Sequence, residues 1–133
     1  MNKIQTRTAT FLLLFQAEFQ DAEELLSNGT EVLLEEEIET KFPEEDLPAI
    51  RDRVDDILTH IPELDEAVNA VAEGWKTNRM AKVDLTLIRL ALYEMKYDGT
   101  DAALAINEAV ELAKVYGSDK SSSFVNGILA KLK

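Results

Sequence analysis

Apolar residues recur along this chain at spacings of three and four, the period of a helix with one buried face. Phe11, Leu14, Phe15 and Phe19 set the first such stripe, widened by Leu12 and Leu13, and predict a helix from about Lys3 to Phe19. Asp21 begins a short second stretch that Ser27-Asn28-Gly29 stops. Thr30, a hydroxyl able to cap, then leads into a sparsely apolar helix with Val32, Leu33 and Ile38, as a surface helix should be. Pro43-Glu44-Glu45-Asp46 opens the next element, and Pro48 fits only in the first turn of the helix carrying Ile50, Val54, Ile57 and Leu58. Pro62 divides that run from another, with Leu64, Ala67, Val68 and Val71, which ends near Gly74-Trp75. Thr77-Asn78 reads as a junction.

The segment Val83 to Tyr97 differs in kind. Val83, Leu85, Leu87, Ile88, Leu90, Ala91, Leu92 and Met95 leave almost no polar face, so other helices must surround it. Asp84 is placed to cap it. After the turn at Asp98-Gly99-Thr100-Asp101, Asp101 caps a helix from Ala102 to Tyr116 whose inner face is Ile106, Ala109, Val110 and Ala113. Gly117 ends it, and Phe124, Ile128, Leu129 and Leu132 mark the last helix. No stretch alternates with period two for long enough to make a strand. The pattern predicts an all-α fold of about seven helices in a single domain spanning 1–133, without internal repeats.

Composition narrows the chemistry. With 133 residues, the chain is long enough for one ordinary core. Absence of cysteine removes disulfides, thiolate metal sites and cysteine nucleophiles together. No apolar run approaches the ~20 residues of a membrane span, and the polar N-terminal stretch lacks the pattern of a signal peptide; a cytoplasmic protein is expected. Acid pairs are too abundant for any one to mark a catalytic site. His60, at a helix end beside Ile61-Pro62, suits carbonyl capping better than metal binding. No phosphate-cradling glycine loop or nucleophile elbow occurs. The expectation is a protein without enzymatic activity, cofactor or metal.

Net charge is −12, which at first speaks against a nucleic-acid partner. Its distribution changes that. Residues 1–17 carry Lys3 and Arg7 and no acid, and residues 70–133 carry nine bases against eight acids. All the excess acidity sits in 18–69, where 18 acids face Lys41, Arg51 and Arg53. Either end can therefore receive an anion that the middle would repel. Near the C-terminal end, Ser118 to Ser123 with Lys120 lead into a helix N-terminus, a setting that suits phosphate. Tyr116 and Phe124 flank it with rings able to stack on unpaired bases. Asn107 and Glu108 interrupt an apolar helix and are expected to brace the interior, because a buried amide is costly unless it is paired.

The residues Ile106-Asn107-Glu108-Ala109-Val110-Glu111-Leu112-Ala113-Lys114, Tyr116-Gly117 and Phe124-Val125-Asn126-Gly127-Ile128-Leu129 resemble the C-terminal signature of the NusB family. Trp75 through Arg79-Met80, Val83-Asp84 and Ile88-Arg89-Leu90-Ala91-Leu92-Tyr93-Glu94-Met95 are similar to the same family in order and spacing, as are Arg7 and Leu14-Phe15-Gln16. The resemblance implies two packed helical bundles and a transcription antitermination role without catalysis. It implies binding of boxA RNA in nascent ribosomal transcripts together with NusE, a small-subunit ribosomal protein, so that RNA polymerase in the elongation complex reads through terminators. It places RNA contacts on Lys3, Arg7, Phe15, Tyr116, Lys120 and Phe124, NusE contact at Asp84, and internal polar brackets at Asn107, Glu108 and Asn126. A docking surface left free would favour homodimers. With only two cations in the first 17 residues, a helical adaptor that binds protein but little RNA is the alternative.

Overall fold

The computed structural model describes residues 1–18 and 42–133, whose regular structure is helical, with no strand among them. Phe19 and the expected elements at Asp21–Gly29 and Thr30–Ile38 lie outside the described residues. Six α-helices are present among the described residues: α1 (Lys3–Ala17), α2 (Leu47–Thr59), α3 (Ile61–Val71), α4 (Lys82–Tyr97), α5 (Ala102–Tyr116) and α6 (Ser121–Ala130). Short 3₁₀ turns at Glu44–Asp46 and Thr77–Arg79 precede α2 and α4. The chain divides into two compact units, Met1–Leu58 and Thr59–Lys133.

In the first unit, α1 starts with a reciprocal cap. The Asn2 side chain accepts from the Gln5 N–H, and the Gln5 side chain accepts from the Asn2 N–H. Six successive residues of α1, Ala9 to Leu14, are buried, including Thr10, whose hydroxyl donates to the Thr6 carbonyl at 2.7 Å. That internal bond lets a threonine sit in an apolar setting without an orphaned hydroxyl. In α2, Ile50, Val54 and Ile57 form the buried stripe, and Pro48 occupies the first turn, where no intrahelical N–H is missed.

The second unit is organised around α4. Every residue from Asp84 to Glu94 is buried, which is what a helix without a polar face requires. Helices α3, α5 and α6 pack against it, and α5 and α6 form a tight hairpin. Ala105, Ala109 and Ala113 place a row of small side chains on the inner face of α5, letting neighbouring helices approach closely. Asp101 caps α5, accepting from the Leu104 N–H.

One local expectation is corrected. Asp84 is not the cap of α4; Ala81 holds that position, and Asp84 lies in the first turn, inside the helix. His60 directly precedes α3, makes no side-chain bond to the first turn of that helix, and has its Nδ1 3.1 Å from the Thr59 hydroxyl. Its ring packs against Tyr97, with centroids 4.4 Å apart, and edge-on to Tyr93 at 5.9 Å.

The α5–α6 turn depends on a missing side chain. A Cβ at Gly117 would overlap the side chain of Ser121 and sit 2.8 Å from the Ala113 carbonyl oxygen. Ser121 is itself buried and accepts the Ser118 N–H at 2.9 Å, closing the turn. Gly117→Ala is expected to lower stability by about 1–3 kcal/mol, the usual range for overpacking. A drop in the urea midpoint at unchanged m-value measures it.

Candidate functional site

Helix α4 and the start of α6 frame an open pocket of ≈ 230 Å³ lined by Trp75, Arg79, Met80, Ala81, Asp84, Lys120 and Phe124. Three of the expected site residues, Asp84, Lys120 and Phe124, meet here although 36 residues separate the first from the second. The folding reason is plain. Asp84 stands in the first turn of α4, Lys120 immediately precedes α6, and packing of α6 on α4 brings these two helix starts together.

The electrostatics of the pocket are uneven. Asp84 is only 8% exposed, and its Oδ1 has no hydrogen-bond partner among the described residues. A buried carboxylate oxygen without a partner is costly. The amino end of α4 offsets part of that cost, since its dipole favours a negative charge in the first turn. Arg79 and Lys120 are exposed at the rim, and Trp75, Met80 and Phe124 supply apolar walls. The pocket thus sets one carboxylate and two exposed cations among apolar walls.

The remaining expected contacts are distributed elsewhere. Tyr116 is half-buried at the end of α5, outside the pocket lining. In the first unit, Lys3 is exposed on the first turn of α1, Arg7 is half-buried one turn further on, and Phe15 stacks on Phe11 with centroids 5.9 Å apart. Asn107 and Asn126, expected as interior brackets, are both exposed. Asn107 shares a solvent face with Ala103 and Lys114, one position out of phase with the buried Ile106; Asn126 lies on the exposed stripe of Ser123, Gly127 and Ala130. Glu108 is half-buried.

Sequence reasoning passed over two features. One is the wall formed by Trp75, Arg79 and Met80, whose signal was a tryptophan set directly after a glycine at a helix end. The other is interior polarity of a different kind: Arg89, on α4, donates Nε and Nη2 to the two carboxylate oxygens of Asp65 on α3 at 2.8 and 2.7 Å. A lone arginine within an otherwise apolar helix was the available clue. Burial pushes the Asp65 carboxyl up to about 6 and the Arg89 guanidinium below its ordinary value, yet at neutral pH both are charged and the fork is complete. Among the described residues no group of three or more His, Asp or Glu could hold a metal ion, and no helix is long and apolar enough to cross a membrane.

Described residues that are helical without strands, with an open pocket joining apolar walls to one buried carboxylate, have the make-up of a helical binding domain. Comparison gives that class its family. The NusB family model matches residues 4–133. A transcription antitermination protein NusB from Agathobacter rectalis is 46% identical, over 98% of this chain and 98% of its own length. The namesake from Carboxydothermus hydrogenoformans is 45% identical over 97% of this chain and 90% of its own. The solved NusB of T. maritima superposes with a TM-score of 0.77 at 31% identity, covering 99% of this chain and 90% of that one. The chain belongs to the NusB family, a family of transcription antitermination factors and not of enzymes.

Proposed function

We propose that this protein binds boxA-type single-stranded RNA of nascent ribosomal transcripts jointly with NusE, in the elongation complex of RNA polymerase, and so helps polymerase pass terminators. Such work belongs in the cytoplasm. The observation that carries the reading is the convergence of Asp84, Lys120 and Phe124 on one pocket. Asp84 lines the pocket and turns its carboxylate's negative charge toward a cation of NusE. Lys120 is exposed beside it for a phosphate, and Phe124 offers a ring for base stacking. Tyr116, Lys3, Arg7 and Phe15 supply the further RNA contacts of this reading. NusE adds basic surface and a second tether, which raises apparent RNA affinity through effective concentration.

A gel shift with boxA and scrambled RNA, with and without NusE, at two salt concentrations tests this. BoxA RNA is expected to bind the pair much more tightly than the chain alone and more tightly than the scrambled strand. Arg7→Glu with Lys120→Glu should weaken RNA binding and lower the salt slope by about 0.7 for each phosphate that is no longer neutralised. Equal affinity for boxA and scrambled RNA with NusE present overturns the proposal. The adaptor reading draws on the small number of cations on α1; it gains if the doubly substituted chain keeps NusE and shows no change toward RNA.

A further inference from the structure

Trp75 is the chain's single tryptophan and is 56% exposed, an unusual position for a large apolar ring. The segment that carries it is nevertheless tied down on both sides. Gly74 turns the chain with a φ of +80°, a conformation that side chains rarely adopt. Directly after the tryptophan, Lys76 donates from Nζ to the Asn69 and Ala72 carbonyls at 2.8 and 3.0 Å, satisfying carbonyls at the end of α3. Next, the Asn69 side chain holds Thr77 with both of its polar atoms: Oδ1 accepts the Thr77 N–H at 2.8 Å, and Nδ2 donates to Thr77 Oγ1 at 3.2 Å. Four hydrogen bonds from two side chains thus fix the backbone on the C-terminal side of an exposed ring. Thr77 also opens the 3₁₀ turn that delivers Arg79 and Met80 to the pocket.

We infer that Asn69, with Lys76, is a positioning residue for the pocket: it holds Trp75 as a standing wall beside Asp84, so that capture of a partner's cation requires little ordering of the strap from 74 to 80. This rests on the reading of the pocket as the NusE-docking surface. Asn69 is absent from the pocket lining, and its effect is exerted through the strap. Binding surfaces that are ordered beforehand lose less conformational entropy on association, and an aromatic anchor gains most from it.

The test uses the full chain and NusE, with Trp75 fluorescence anisotropy as a second readout that needs no partner. Asn69→Ala is expected to lower the anisotropy of Trp75 and weaken NusE binding by about tenfold, at an unchanged helical circular dichroism signal. Asn69→Asp keeps an acceptor for the Thr77 N–H and should restore both readouts. Should Asn69→Ala lose helical signal, Lys76→Met takes its place, with the same signs expected and a smaller loss of about threefold. Anisotropy and affinity equal to those of the unsubstituted chain in the folded variant overturn the inference. If Asp84→Asn weakens NusE binding while the Asn69 and Lys76 variants do not, the positioning role alone fails. If the unsubstituted chain does not bind NusE, or Asp84→Asn leaves binding intact, the docking reading fails and the inference falls with it.

Discussion

Replacing Arg89 with leucine is expected to cost the folded chain about 3 kcal/mol at neutral pH, the typical result of removing one member of a buried ion pair. The reason lies in what is left behind. Asp65, already raised by burial, would lose the guanidinium that now meets both of its oxygens and would have to stay charged without a partner or take up a proton, and either costs stability. Asp65→Leu should be damaging for the mirror-image reason, because Arg89 is 8% exposed in the middle of α4. Combining the two leucines should recover most of the loss, since an apolar pair of similar volume carries no desolvation cost. Urea denaturation of the four chains closes the cycle. Additive single losses would show that the fork contributes nothing beyond packing.

The same pair gives a pH dependence with a definite sign. Burial raises the Asp65 carboxyl from 3.8 in the unfolded chain to about 6 in the folded one. Between those values the folded state holds a proton that the unfolded state has released. The contribution of Asp65 is therefore fully present below pH 3.8 and is lost as pH rises through 6. Relative to Asp65→Asn, the chain should lose stability between about pH 4 and pH 7, and denaturation midpoints at both values read the difference.

The second large effect concerns binding. Asp84→Asn is expected to weaken NusE binding by about 30-fold, or ~2 kcal/mol, because it removes the charge that a partner cation would meet in a desolvated site. The free chain should be no less stable for the change, since Oδ1 of Asp84 has no partner among the described residues to lose. Loss of affinity without loss of stability separates a docking carboxylate from a structural one. Isothermal titration with NusE, paired with a thermal melt, measures both. A variant that binds normally, or one that simply unfolds, contradicts this role for Asp84.

Much of the fold was legible in the sequence because helix periodicity records which face is buried. The nearly all-round apolar surface of α4 announced its central place, and Asp84 to Glu94 are indeed all buried. Pro48, Pro62, Asp101 and Gly117 marked boundaries through constraints that act within a few residues, and those hold. Polar residues next to apolar ones were harder to place. Asn107 follows a buried isoleucine in sequence but stands about 100° round the helix from it, which is enough to reach solvent. Asn126 escaped the interior in the same way.

The candidate site divides along the same line. The chain's own order of residues determined that it would be all-helical, that its excess acidity would be confined to one stretch, and that Lys120 and Phe124 would sit at the start of the last helix. Only tertiary packing decided that Asp84 would be buried beside them with an oxygen left over, that Trp75 would stand exposed on a tied strap, and that Arg89 would find Asp65 twenty-four positions away. Periodicity and capping act over one or two helical turns, whereas a pocket floor or an ion pair between helices is set by which helix lies against which.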